Sequence, residues 1–270
     1  MMKAALGQFA VSREWQQNAD ICLGLMTEAK SKGADLLVLP EGILAHDIAD
    51  PDLVRKAAQP LDGPFMTQLL EASRGSDLTV MMCVHIPSSN GRIGNILVAI
   101  RDGKILAQYQ KLHLYDAFSM KESTNVTPGD EVPPLVEVAG LKVGLMTCYD
   151  VRFPELARRL VLDGADVLVL PAAWVKGPLK EAHWDVLVTA RALENTCYVV
   201  ATGECGGERN IGHSMVVDPL GVAVARAAEA PALIFADIDP ARIAYARKVL
   251  PVLENRRFEK PELKKTTSTE

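Results

Sequence analysis

Three side chains in this sequence stand where strand-like runs end, and together they could cut an amide. Glu41 follows the apolar run 36–40 in LVLPEG, Lys111 follows a strand in QYQKLHLYD, and Cys148 follows 142–147 in GLMTCYDVRFPEL. A thiol is a weak nucleophile until a base takes its proton, and a nearby cation favours the thiolate. Acyl transfer also builds negative charge on oxygen, which needs a cation or N–H donors. A carboxylate, an ammonium and a thiol meet all three demands. Singly, each has a plainer reading. A glutamate or lysine after a strand is commonly a solvated loop residue. A free cysteine is commonly a small buried hydrophobe, as Cys22, Cys83 and Cys197 are expected to be within their apolar stretches. The conjunction points to chemistry.

The elements that must position these groups read as repeated strand–helix–strand units. Residues 4–9 are strand-like; Trp15, Ala19, Cys22, Met26 and Ala29 then recur at helical spacing, Gly33 suits the helix end, and 36–39 is a solid apolar strand. The octapeptide GADLLVLP at 33–40 returns as GADVLVLP at 164–171, identical at seven of eight positions. Each copy follows a helical segment, 14–32 and about 154–163, that itself follows a strand. This predicts two related βαβ halves with right-handed crossovers. Between them, 95–101 and 104–110 flank Asp102-Gly103, a tight hairpin signal. Further on, 181–195 reads as helix, 198–202, 214–218, 222–225 and 233–237 as strands, and 240–249 as the last helix. In sheets with parallel βαβ units, ligands gather beyond the carboxyl ends of strands, where Glu41, Lys111 and Cys148 all lie.

These blocks are recognisable. LPEG with Glu41, YQKLHLYD with Lys111 and TCYDVRFPE with Cys148 resemble the three signature blocks of the nitrilase superfamily of carbon–nitrogen hydrolases. HWDVLVTARALENTCYVV and GHSMVVDPLG are similar to further family blocks, so the likeness spans nearly everything before the tail. HLYDAFSMKES, PAAWVKGPLKEAHW and GECG resemble a bacterial branch that acts on 2-oxo-acid amides. The resemblance implies a four-layer α-β-β-α sandwich, an α/β fold of two packed mixed sheets with helices on both outer faces. It implies that Glu41 is the base, that Cys148 forms a thioester, and that Lys111 and the backbone N–H of Tyr149 hold the oxyanion. Glu122, in KES, matches a second glutamate that orients substrate and Lys111; its plainer reading is a loop carboxylate. No metal or organic cofactor is implied, and a homodimer is. Asp150 and Arg152 are expected to brace the turn as an ion pair, and His113 to serve the scaffold, although its place two residues from Lys111 leaves a Cys–His dyad conceivable. Lys176, Lys180, Trp174 and Arg209 are candidates to hold substrate, Lys176 foremost.

Bulk composition narrows the classes. The chain has 270 residues, 49% hydrophobic and 23% charged, with a formal charge of −5. That balance suits an ordinary globular protein. With no basic stripe, nucleic acid is an unexpected partner. No apolar run reaches the roughly 18 residues of a membrane span. The opening Met1-Met2-Lys3-Ala4 leads straight into a strand, without a signal-peptide core. Five scattered cysteines without CxxC spacing point to a reducing cytoplasm rather than to disulfides or zinc. We expect one domain over 1–258 and a polar, flexible tail over 259–270. The leading expectation is an amidase for a small-molecule 2-oxo-acid amide. An ω-amidase, a nitrilase, an N-carbamoyl hydrolase, a non-catalytic binding member and a thiol redox sensor using Cys197 or Cys205 are the alternatives.

Overall fold

The computed structural model describes residues 1–47, 49–88, 91–206 and 209–264. The first half contains β1 (Met2–Gln8), α1 (Trp15–Ser31), β2 (Leu36–Val38), α2 (Leu53–Lys56), α3 (Pro64–Ser73), β3 (Thr79–Pro87), β4 (Ile93–Arg101), β5 (Lys104–Gln110) and the short β6 (Val126–Thr127). The second half contains β7 (Val136–Val138), β8 (Leu141–Leu145), α4 (Pro154–Leu162), β9 (Val167–Ala172), α5 (Lys180–Asn195) and β10 (Tyr198–Gly203). It continues through β11 (Cys205–Gly206), β12 (Asn210–Ile211), β13 (Met215–Val217), β14 (Ala223–Arg226), β15 (Ala232–Ile238), α6 (Pro240–Val249) and α7 (Val252–Asn255).

The two halves are built alike. In the first sheet, ordered β15-β1-β2-β3-β4-β5, strands β1, β2 and β3 run parallel. In the second, ordered β14-β13-β10-β9-β8-β7, the parallel trio is β8, β9 and β10. The two copies of the octapeptide supply the middle strand of each trio, β2 and β9. Antiparallel strands extend both sheets outward.

Period-two alternation sorts the first sheet's side chains into two layers. Ala4, Leu6, Leu36, Val38, Met81 and Cys83 face the second sheet in one continuous core. Ala5, Leu37, Val80, Met82 and Val84 face Ala19, Cys22 and Met26 of α1 and Phe65, Met66 and Leu69 of α3. Leu156 and Leu160 of α4 and Trp184 and Val188 of α5 pack on the second sheet. The result is the expected four-layer α-β-β-α sandwich.

Local signals place several boundaries. Gly33, with φ +71°, ends α1, and Pro154 and Pro240 sit in the first turns of α4 and α6. Asp239 caps α6 by accepting a 2.8 Å bond from the Ala241 N–H. Asp102 and Gly103 both have positive φ, as the β4–β5 hairpin turn requires. The sequence reading names no element between 40 and 95, where the structure has α2, α3, β3 and the start of β4. Of the tail, 265–270 lies outside the described residues. Before it, Lys260 pairs with Asp163, and Arg159 donates a 2.9 Å bond to the Pro261 carbonyl, tying 260–261 to α4.

Candidate active site

Glu41, Lys111 and Cys148 meet in one pocket of about 420 Å³. Glu41 comes from the loop after β2, Lys111 directly follows β5, and Cys148 lies beyond the end of β8. All three are buried, Lys111 to within 2% of complete enclosure. The Lys111 ammonium donates to Glu41 Oε1 at 2.9 Å and to Glu122 Oε2 at 2.9 Å. Asn95 Nδ2 donates to Glu41 at 2.8 Å, and the Ala173 N–H donates to the other Glu41 oxygen at 3.0 Å. Glu122 also accepts a 2.6 Å bond from the Tyr115 N–H, which anchors it beside the lysine.

Cys148 sits on a tight turn. Cys148 has φ +44° and opens a short 3₁₀ helix, Cys148–Arg152. A non-glycine residue there costs on the order of 1–3 kcal/mol unless its surroundings fix it. Asp150 does that. It is fully buried and accepts from the Thr147 N–H (2.8 Å), the Tyr109 hydroxyl (2.8 Å) and His113 Nδ1 (2.7 Å). Tyr149 follows Cys148, so its N–H is among the helix's first donors, which lack an intrahelical partner.

The expected Asp150–Arg152 ion pair does not form. Asp150 is consumed by Tyr109, Thr147 and His113, while the Arg152 guanidinium lies 4.9 Å from the Trp174 ring centre. His113 is held by Asp150 and stacked on Phe153 at 3.7 Å, which makes it scaffold. Cys22, Cys83 and Cys197 are fully buried and their thiols are pushed up by burial, as small hydrophobes would be. Among the described residues, Cys148 is the one cysteine lining the pocket.

Burial works against every charge here, so the pairing decides each state. Burial alone would raise Glu41, but the charge and hydrogen bonding of Lys111, with bonds from Cys148 and Ala173, hold it well below the ordinary carboxylate range. Burial alone would lower Lys111, but Glu122 and Glu41 hold it well above an ordinary lysine. Burial raises the Cys148 thiol, and the adjacent Glu41 charge raises it further against the pull of Lys111. These influences favour a neutral thiol beside the Glu41 carboxylate.

The candidate substrate contacts divide. Trp174 lines the pocket, whereas Lys176 and Arg209 do not. The Lys176 N–H bonds the Arg209 carbonyl at 2.8 Å, and the Arg209 side chain pairs with Asp47. Lys180 is the lysine of that loop that reaches the pocket. Its Nζ donates to the Tyr115 hydroxyl at 2.6 Å and lies 4.2 Å from the Phe118 ring centre. The reversal comes from Leu179, whose φ of +59° starts α5 at Lys180. Burial and the neighbouring Arg152 charge both lower the Lys180 pKa. Sequence reasoning missed Asn95 and the pair His46–Glu204. Asn95 had a visible signal, a lone amide in the apolar strand IGNILVAI.

These findings have a family counterpart. The carbon-nitrogen hydrolase family model matches residues 3–248. The chain belongs to the carbon–nitrogen hydrolases. It is 54% identical to the deaminated glutathione amidase of Escherichia coli O157:H7, over 97% of this chain and 100% of that one. To the human deaminated glutathione amidase it is 37% identical, over 94% and 81%. Among solved structures, the Caenorhabditis elegans NitFhit protein superposes with a TM-score of 0.88 at 31% identity, over 95% of this hydrolase but 65% of that longer chain. Saccharomyces cerevisiae Nit3, of branch 10 of the nitrilase superfamily, superposes with a TM-score of 0.81 at 28% identity, over 95% and 97%. As a family member this hydrolase acts on carbon–nitrogen bonds. No helix among its described residues is long and apolar enough to cross a membrane.

Proposed function

We propose that this chain is a cysteine amidase that hydrolyses deaminated glutathione to 2-oxoglutarate and cysteinylglycine, the substrate in the name of its E. coli and human relatives. The observation that carries the reading is the convergence of Cys148, Glu41 and Lys111 in one pocket, with Lys111 shared between Glu41 and Glu122. Glu41 takes the thiol proton as the sulfur attacks the amide carbon. The oxyanion meets the Lys111 ammonium and the Tyr149 N–H. As the tetrahedral adduct collapses, Glu41 gives that proton to the departing nitrogen, leaving a thioester. Glu41 then deprotonates a water that attacks the thioester, and returns the proton to the departing sulfur. Glu122 keeps Lys111 in place throughout.

Lys180 lines the pocket, Arg152 lies with it against the Trp174 ring, and neither forms an ion pair among the described residues. Two like charges held together in a half-buried setting are relieved by an anion. The oxo-acid carboxylate is the anion that this acyl half carries. A 420 Å³ pocket falls in the range of about 300–1,000 Å³ that encloses a small-molecule ligand. The scattered free cysteines favour a reducing cytoplasm. Exposed Val186 and Leu193 on α5 favour a homodimer.

The second reading is an ω-amidase for 2-oxoglutaramate, which shares the acyl half and differs only in releasing ammonia. Assaying both amides side by side decides. A kcat/KM at least tenfold higher for deaminated glutathione supports the proposal, and the reverse order replaces it with the ω-amidase.

A further inference from the structure

Beyond the catalytic groups, the pocket holds a second charged pair to which the mechanism assigns nothing. His46 lines the pocket, and its Nδ1 meets Glu204 Oε2 at 2.6 Å. Glu204 is 4% exposed and held in place by its backbone, whose N–H bonds the Ala172 carbonyl at 2.7 Å and whose carbonyl accepts from Gly212 at 3.0 Å. With Nδ1 committed to the carboxylate, Nε2 is the ring's remaining hydrogen-bonding atom. The same loop and the start of α2 supply Asp47, Pro51 and Val54 to the pocket wall, and Asp47 is neutralised by Arg13 and Arg209.

This pair stands beside Glu41: Gly42 lies against the His46 side chain, and Glu204 bonds Ala172, next to the Ala173 that holds Glu41. Lys180 instead meets Tyr115, Phe118 and Trp174. The chemistry assigns each a half of the substrate. Cys148 holds the acyl half, and Lys180 is the cation set toward that half. Glu41 must protonate the departing nitrogen, so the leaving group lies on the Glu41 side, with His46.

We propose that His46, held by Glu204, is a specificity-determining residue that donates a charge-assisted hydrogen bond to an anionic group on the leaving amine, such as a terminal carboxylate. This rests on the amidase reading above and adds the recognition of the leaving half. The pair explains how one site distinguishes an amide of a charged dipeptide from a primary amide with the same acyl half. Burial works against the imidazolium, but Glu204 and then Glu41 outweigh it and raise the His46 pKa. The groups facing His46 are Glu204 beyond β10, Glu41 after β2, His85 at the end of β3, Asp47 on its own loop and Arg209. His85 is itself kept neutral, lowered to about 4 by burial.

The test uses deaminated glutathione and its analogue with the terminal carboxylate converted to carboxamide, on the wild-type protein, His46→Gln and Glu204→Gln. Wild-type kcat/KM should favour the carboxylate by roughly ten- to a hundredfold, the worth of a charged hydrogen bond. His46→Gln should erase most of that preference, and Glu204→Gln should reduce it, mainly through KM. In the wild type the preference should fade as pH rises through the His46 titration, a readout that needs no variant. A preference that is flat with pH, or that survives in His46→Gln, overturns the inference while leaving the amidase reading standing. Failure of the wild type to hydrolyse deaminated glutathione overturns the amidase reading and the inference with it.

Discussion

Replacing Glu41 by glutamine separates what the carboxylate does to the thiol from what it does for turnover. The side chain keeps its shape. Its amide can still accept from Lys111 or from the Ala173 N–H, but in either orientation its NH₂ group faces another donor. Lys111 retains Glu122 at 2.9 Å, so the buried cation is not abandoned. The stability cost should therefore stay near the roughly 1–3 kcal/mol of one mismatched buried polar group rather than that of an orphaned charge. The electrostatic effect on the sulfur is larger. A thiolate in contact with Glu41 is opposed by about 4 kcal/mol at an effective dielectric of about 20. Removing that charge leaves Lys111 to act on Cys148 unopposed from this side, although burial still raises the thiol. Two outcomes follow together. Turnover should fall at least ~10²-fold, the scale of a lost acid–base group, measured as 2-oxoglutarate release. The pH midpoint for alkylation of Cys148 by iodoacetamide should move down. A variant that retains wild-type turnover, or whose midpoint is unmoved or raised, refutes the account of Glu41 as both base and opponent of the thiolate.

Other substitutions test the remaining parts. Cys148→Ala should abolish turnover with an unchanged circular dichroism spectrum, and Cys148→Ser should be nearly inactive because a hydroxyl is far harder to ionise. Lys111→Met should cost on the order of 10²-fold or more in kcat. It should also lower unfolding stability in urea by about 3–5 kcal/mol, since Glu41 and Glu122 lose their shared cation. Lys180→Met should lose roughly 1–3 kcal/mol in kcat/KM for a substrate bearing the oxo-acid carboxylate, against much less for Lys176→Ala; equal effects would reject Lys180 as the contact. His85 has a folded pKa of about 4 against an ordinary 6.5. The stability gained by keeping it neutral is full above pH 6.5 and is lost as pH falls toward 4, about 3 kcal/mol in all. The difference in urea midpoints between wild type and His85→Gln should shrink over that window.

Part of the candidate site was readable because local sequence places it. Glu41, Lys111 and Cys148 each follow a strand, Glu41 and Lys111 in the first sheet and Cys148 in the second, and the stacking of the two sheets brings those strand ends together. Lys180 and Lys176 show the limit of that reasoning. They are four residues apart, Lys176 in the loop after β9 and Lys180 at the start of α5, with Leu179 at positive φ between them. Nothing in the composition of WVKGPLK announces that conformation. Arg152 failed for a related reason: its expected partner, Asp150, is claimed by Tyr109 and His113, which are distant in sequence. His46 and Glu204 are 158 residues apart, and only tertiary packing unites them. The segment from 40 to 95 was opaque because β3 is buried on both faces. It lacks the alternation that marks a half-exposed strand.

The hydrogen-bonded network around Glu41 straddles the midline of the sandwich. Glu41, Asn95 and Lys111 ride on the first sheet, while Cys148 and the Ala173 N–H ride on the second. Tyr109 reaches across from β5 to bond Asp150, two residues after Cys148. Turnover is thus a gauge of how the two sheets are stacked. A truncation in the shared interior, such as Leu145→Ala two residues inside Thr147, would cost about 2–5 kcal/mol and could leave the protein folded. Yet slippage of about 1 Å between the sheets would misalign sulfur and carboxylate enough to cost on the order of 10²-fold in rate. In this architecture, damage to the shared interior registers in the chemistry before it registers in the melting curve.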